Sequence, residues 1–197
     1  MKRIAIIIGL GLCLALPSLL AAQENHGEVG VFADYLRFSP GSQVTNFVGV
    51  GGRLGFNVHP NIMLEAEMSY DFKRNFTNTT GSGINTNFTN TGVRPLTGLF
   101  GPKFQAGTTG PFRVFVTGKV GFINFQTTNG STVNGSQFSN AVTGVGGAGT
   151  HFAFYPGAGF EAFIGPVGLR LEAGDEIYLN NGTYNNLKVT FGPHFRF

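Results

Sequence analysis

The chain has 197 residues, with 13 Lys plus Arg against 10 Asp plus Glu, 31 Gly and 21 Phe; charged residues make up 12% and hydrophobic residues 42%. Setting aside Lys2 and Arg3 of an N-terminal leader lowers the formal charge from +3 to +1, which leaves no clustered basic surface for a phosphate backbone and excludes nucleic acid as the expected partner. The apolar and aromatic content argues against disorder, while the charged share, about half that of soluble domains, is too small to cover a water-facing globule.

Residues 1–22 have the pattern of a secretory signal: Lys2 and Arg3 as the positive start, Ile4 to Leu16 as the apolar stretch, and Pro17 to Ala22 as the exit toward cleavage. An apolar stretch of about 13 residues falls short of the roughly 20 that span a bilayer as a helix. Export of a mature domain, residues 23–197, is the expectation, with cleavage near Ala22 even though Leu20 sits where a small residue is preferred. Cys13 lies inside the leader, so the mature chain has neither a disulfide nor a thiol nucleophile. Leu12 before Cys13 argues against a lipid-modified cysteine.

The remainder alternates with a period of two residues and shows no sustained 3.6-residue apolar pattern. Eight strands are predicted. Glu28 to Phe38 sets Val29, Val31, Ala33 and Tyr35 against Glu28, Gly30 and Asp34. Asn46 to Val58 sets Val48, Val50, Leu54, Phe56 and Val58 against Gly49, Gly51, Arg53, Gly55 and Asn57. From Ile62 the apolar side holds Leu64, Ala66, Met68, Tyr70 and Phe72, opposite Met63, Glu65, Glu67, Ser69 and Asp71. Arg94 to Gln105 opposes Leu96, Phe100 and Phe104 to Thr97, Gly101, Lys103 and Gln105, with Leu99 out of phase. Phe112 to Phe125 opposes Val114, Val116, Val120 and Phe122 to Arg113, Thr117, Lys119 and Gly121. The sixth strand carries Phe152, Phe154, Ala158, Phe160 and Ala162 against His151, Tyr155, Gly157, Gly159 and Glu161. The seventh carries Leu169, Leu171, Ala173 and Ile177 against Arg170, Glu172 and Glu176, and the eighth Leu187, Val189, Phe191, Phe195 and Phe197 against Lys188, Thr190, His194 and Arg196.

Connections alternate between short turns (His59 to Asn61, Gly107 to Pro111, Gly165 to Pro166) and longer polar stretches, of which Lys73 to Val93 and Gln126 to Thr150 are read as loops. Such an antiparallel meander suits an eight-stranded up-and-down transmembrane β-barrel. A soluble lipocalin-like barrel has the same period. The two differ in which face is sparse: the polar face here has one to three charges per strand separated mainly by glycine, too few for a wall in water and suited to a narrow interior. Closure is needed because hydrocarbon leaves a free strand edge unsatisfied.

The sequence resembles the small eight-stranded outer-membrane β-barrels typified by the transmembrane domain of outer membrane protein A. The resemblance rests on the hairpin "GVGGRLGFNVHPNIMLEAEMSYDF" from Gly49, the strand "GLRLEAGDEIY" from Gly168 and the ending "KVTFGPHFRF" at Phe197. It implies location in the bacterial outer membrane, contact with outer-membrane lipids, and recognition of Phe191, Phe195 and Phe197 by the outer-membrane assembly machinery, although Pro193 interrupts the alternation. A monomer is expected. Members of the family serve as anchors, adhesins, resistance factors or small pores, so the resemblance leaves the role open.

No cofactor or metal site is expected: His26, His59, His151 and His194 lack ligand-like spacing, and the GxGxxG of Gly144, Gly146 and Gly149 has no strand-to-helix setting. No nucleophile is paired with a base at a recognisable spacing, so an enzyme is not expected. The Asn-x-Ser/Thr triplets follow from loop composition. The constellation of interest is ionic. With Val58 and Ile62 on the lipid side, the turn sets Arg53 opposite Glu67 with Glu65 a diagonal step away. The Gly165–Pro166 turn sets Ile164 opposite Val167, Glu161 opposite Arg170, and Glu172 opposite Gly159. The predicted interior network is Arg53, Glu65, Glu67, Glu161, Arg170 and Glu172, with Asp71, Lys103, Lys119, His194 and Arg196 as further lumen groups. Three functions are consistent with this reading: a structural or surface-interaction barrel acting through long extracellular loops, a narrow porin-like channel, and a soluble periplasmic lipocalin-like carrier.

Overall fold

The structure, a computed structural model, describes residues 26–39, 44–80, 87–129 and 149–197. Within them the elements are all strands: β1 (Gly27–Phe38), β2 (Thr45–His59), β3 (Ile62–Asp71), β4 (Arg74–Thr80), β5 (Asn87–Ala106), β6 (Phe112–Asn129), β7 (Gly149–Ile164), β8 (Val167–Asp175), β9 (Ile177–Leu179), β10 (Thr183–Tyr184) and β11 (Leu187–Arg196). Antiparallel pairing runs β1–β2–β3–β5–β6–β7–β8–β11 and returns to β1, which closes an eight-stranded barrel. β4 continues β3 beyond Phe72 and Lys73 and pairs with β5, and β9 continues β8 beyond Glu176 and pairs with β7. The barrel proper therefore has no free edge, and its backbone amides bond from strand to strand.

The turns fix the register. Gly165 closes the β7–β8 hairpin at φ 62°, a left-handed conformation that glycine adopts without strain, and it places Ile164 opposite Val167. Around His59 to Asn61 a register shift separates the Asn57–Met63 and His59–Ile62 pairs, yet Arg53 still faces Glu67. Both described termini lie at this turn end, where Gly27 N donates to Phe197 O at 3.0 Å and Phe197 N to Gly27 O at 2.9 Å. The strand ends that these turns do not join lie at the opposite, loop end.

The alternation sorts side chains as the membrane reading requires. Val50 is 51% and Val116 56% exposed on the outer wall, whereas Arg53 is 7% and Glu161 0% exposed inside. A barrel-wide girdle of exposed Val, Leu and Phe far exceeds the apolar patch a soluble monomer tolerates, and acyl chains would solvate it.

Two expectations need correction. The stretch from Lys73 to Val93 is not simply a loop: β4 and the start of β5 pair from Arg74–Val93 to Thr80–Asn87, and β6 likewise runs on to Asn129. Alternating Thr and Asn suit a strand pair above the membrane, because β-branched Thr favours extended backbone and the polar side chains need no core. The inner face, moreover, is not ionic along its whole length. Leu99 is in phase after all; it points inward at 3% exposure and joins a buried apolar cluster with Leu36, Phe38, Phe47, Val93, Ile123, Phe125 and Tyr178.

Candidate functional site

The interior is stacked in tiers along the barrel axis. Nearest the turns, Lys103 Nζ lies 2.7 Å from Glu161 Oε1 and 3.2 Å from Glu28 Oε2, and Arg113 Nη1 lies 3.3 Å from Glu28 Oε1. His194 is buried beside them, its ring edge-on to Phe163 with centroids 4.8 Å apart.

The middle tier is denser. Lys119 Nζ lies 2.6, 2.7 and 3.0 Å from Glu65 Oε1, Glu67 Oε2 and Glu172 Oε1. Arg170 reaches Glu65 Oε2 and Glu172 Oε2, each at 2.5 Å, and lies 3.4 Å from Glu161 Oε1. Arg53 lies 3.1 Å from Glu172 and 3.4 Å from Glu67, and donates to Thr190 Oγ1 at 3.0 Å. Aromatic faces complete the cage, with Arg53 4.4 Å from the Phe32 centroid and Arg170 4.2 Å from that of Phe115.

Above it, Lys188 Nζ pairs with Asp34 at 3.0 Å and Glu176 at 2.8 Å and donates to Ser69 Oγ at 2.9 Å; Thr97 donates to Glu176 Oε1 at 2.9 Å. Asp71 is buried in this tier. At the loop end the apolar cluster follows. The Phe38 ring meets Phe47, Phe125 and Tyr178 at centroid distances of 5.9, 5.4 and 6.0 Å, and Tyr178 stacks on Tyr184 at 5.1 Å.

Burying so many ions is costly unless each is paired and hydrogen-bonded, and stranding one costs about 3–5 kcal/mol. Narrowness supplies the pairing. In an eight-stranded barrel, long side chains from opposite walls meet at the axis, so Lys119 on β6 reaches carboxylates on both β3 and β8. Neighbouring registers place Arg53 by Glu67 and Glu161 by Arg170. The trans-lumen contacts of Lys119, and the Arg53–Glu172 and Arg170–Glu65 pairs, have no counterpart in a single hairpin.

The structure gathers Arg53, Glu65, Glu67, Lys119, Arg170 and Glu172 into the middle tier and Lys103 and Glu161 into the tier below. Asp71 and His194 are buried but have no ion pair among the described residues. Arg196 departs from its expected lumen position: half-buried at the turn-end mouth, it donates to Gly165 O at 3.1 Å and lies 4.2 Å from the Phe163 centroid. Five buried charges were absent from the predicted network, namely Glu28, Asp34, Arg113, Glu176 and Lys188. All five lie on the polar face of their segments, which was the available signal. Phe191 and Phe195 lie on the outer wall, and Phe197 stacks against Phe195 with centroids 6.5 Å apart.

Oxygen and nitrogen atoms of Glu28, Glu161 and His194 come within 4.8 Å of one another, as do those of Glu65, Glu67 and Glu172. Lysine and arginine of the chain already neutralise both groups. Of the glycine motif, Gly144 and Gly146 lie outside the described residues, and Gly149 opens β7. The leader and residues 130–148 also lie outside them.

The family model for the outer membrane protein beta-barrel domain matches residues 8–195. The chain belongs to that family. Among solved structures, Neisserial surface protein A has a TM-score of 0.55 at 10% identity, covering 87% of this chain and 97% of its own. Ail, the attachment invasion locus protein of Yersinia pestis, has a TM-score of 0.53 at 10% identity over 89% of this chain and 100% of its own. The outer membrane protein OprG from Pseudomonas aeruginosa has 0.50 at 11% over 89% and 97%. At such identities the likeness is one of fold. No curated protein matches the sequence. Membership places the protein in the bacterial outer membrane and overturns the soluble lipocalin-like carrier. Short turns then mark the periplasmic end of the barrel and the longer connections its extracellular end.

Proposed function

We propose that the protein is a closed, non-enzymatic outer-membrane barrel whose role is structural and surface-directed, carried by the strand extensions and connections at its extracellular end. The observation supporting this reading is the filling of the lumen. Three ionic tiers and an aromatic cluster follow one another along the axis, and their members, from Lys103 and Lys119 to Phe38 and Phe47, are buried side chains with 0–7% exposure. A narrow channel would require ion pairs and aromatic contacts to open together. β4 and the start of β5, in contrast, pair beyond the closed part of the barrel, and we read this polar extension as the place of surface contact.

Planar-bilayer recording of purified protein is the test. No reproducible unitary conductance is expected; a stable conductance would return the porin-like reading to first place. The surface role is tested separately by shortening residues 130–148 in cells. Barrel assembly should persist while envelope integrity or surface binding changes, and unchanged phenotypes would remove the loop from the account.

A further inference from the structure

Without Lys2 and Arg3 of the leader, the 13 Lys plus Arg of the chain fall to 11, and these are unevenly placed. Six are buried in the lumen: Arg53, Lys103, Arg113, Lys119, Arg170 and Lys188. Arg196 is at the periplasmic mouth. The other four, Arg37, Lys73, Arg74 and Arg94, all lie at the extracellular end, on the arc that runs from β1 to β5. No carboxylate offsets them. Every described Asp and Glu is buried except Asp175, which is on β8, outside the arc, and accepts from Asn186 N at 2.8 Å. Residues 40–43, 81–86 and 130–148 contain no charged residue.

The four cations form two neighbouring pairs. Arg37 on β1 is paired with Asn46 on β2, and from the other side Arg74 Nε donates to Asn46 O at 3.0 Å. Arg37 and Arg74, both exposed, thus flank Asn46 at the top of β2. The stem of Lys73 lies over Gly92, where an added Cβ would come 2.7 Å from its Cδ. Arg94 follows two residues along the same face of β5. Its guanidinium is oriented, with Nη1 donating to Tyr70 Oη at 2.5 Å and Nη2 to Gln126 Oε1. These partners are neutral and leave its charge unbalanced. The pairs are about two strand spacings apart, roughly 10 Å.

Directly beneath them the outer wall becomes apolar. Val48, Val50 and Phe72 are exposed there, with Tyr35 and Tyr70 among them on the same face. Tyrosines at such a height mark the boundary between acyl chains and headgroups. An anion held by the four cations therefore sits where the headgroups of the outer leaflet lie.

We propose that this arc binds the phosphorylated sugar headgroup of the outer-leaflet glycolipid, with one phosphate between Arg37 and Arg74 and a second beside Lys73 and Arg94. A disaccharide phosphorylated at both ends can bridge the two pairs, and arginine matches phosphate with two parallel hydrogen bonds. The site uses the outward rim and not residues 130–148, so it stands apart from the surface role proposed above.

Purified protein in a non-ionic detergent, titrated with diphosphoryl lipid A, should bind it saturably. Arg37→Gln/Arg94→Gln should weaken binding about 25-fold, about fivefold for each cation removed at an anionic lipid surface, while Arg196→Gln should match wild type. None of these positions belongs to the ionic tiers, and heat-dependent gel mobility checks that each variant is folded. Lipid A stripped of both phosphates should bind wild type no better than diphosphoryl lipid A binds the double variant. Shortening residues 130–148 should leave the affinity unchanged. A folded double variant with wild-type affinity would overturn the site. Phosphatidylglycerol binding as tightly as lipid A, or displacement of lipid A by an equal concentration of inorganic phosphate, would overturn its assignment to the glycolipid.

Discussion

The ionic part of the lumen and its extracellular end are filled by opposite means. Below, cations are shared among carboxylates, with Lys119 touching three of them. Above, Phe38, Phe47, Phe125 and Tyr178 pack ring against ring. An ionic tier tolerates no vacancy, since one missing partner leaves a buried charge stranded. An aromatic cluster loses contacts in proportion to what is removed. Both fill the lumen, but they should fail differently when cut.

The largest effect is expected for Lys119→Met. It leaves Glu65, Glu67 and Glu172 to two guanidinium groups, and the loss in urea unfolding of the folded barrel should reach about 5 kcal/mol, the upper end for a broken buried pair. A variant as stable as wild type would mean that the middle tier is wet. Phe38→Ala comes next, at about 4 kcal/mol for the cavity left among its ring partners. Bilayers holding it should stay silent because the ionic tiers remain below, and a conducting Phe38→Ala would make the aromatic cluster the sole barrier. Arg53→Ala should cost about 3 kcal/mol, the lower end of the range, because Lys119 and Arg170 still hold Glu172 and Lys119 still holds Glu67. Arg196→Ala, at the periplasmic mouth, should stay within about 0.5 kcal/mol of wild type; a larger loss would draw it into the network from which its position separates it.

Much of the lower lumen was legible in the sequence. Two turns and a period of two suffice to set Arg53 against Glu67 and Glu161 against Arg170, since register within one hairpin is a local property. The upper lumen was harder to read because the polarity of the alternation inverts there. Near the loop end the outward positions become Arg37, Asn46, Arg94 and Gln126, while the inward ones become Leu36, Phe38, Phe47, Val93 and Phe125. Arg37 pairs with Asn46 and Arg94 with Gln126, forming an outward polar rim where the lipid-facing wall ends. Read with a fixed phase, only Leu99, an inward apolar residue lower on β5 opposite Glu67, stood out as an irregularity. An inversion of phase at a common height on several strands is the signal that would have found both the aromatic cluster and the rim.

The sequence by itself determined the eight barrel strands, the greasy and sparse faces and the pairing across two of the short turns, because all of these follow from nearest-neighbour alternation and turn length. Only the tertiary structure decided which charges meet across the lumen and which one is left over. Those contacts depend on how closure, tilt and stagger bring distant strands to a common height on the axis. Whether Asp71 has a partner is likewise a property of the whole tier that surrounds it, and no single strand encodes that balance.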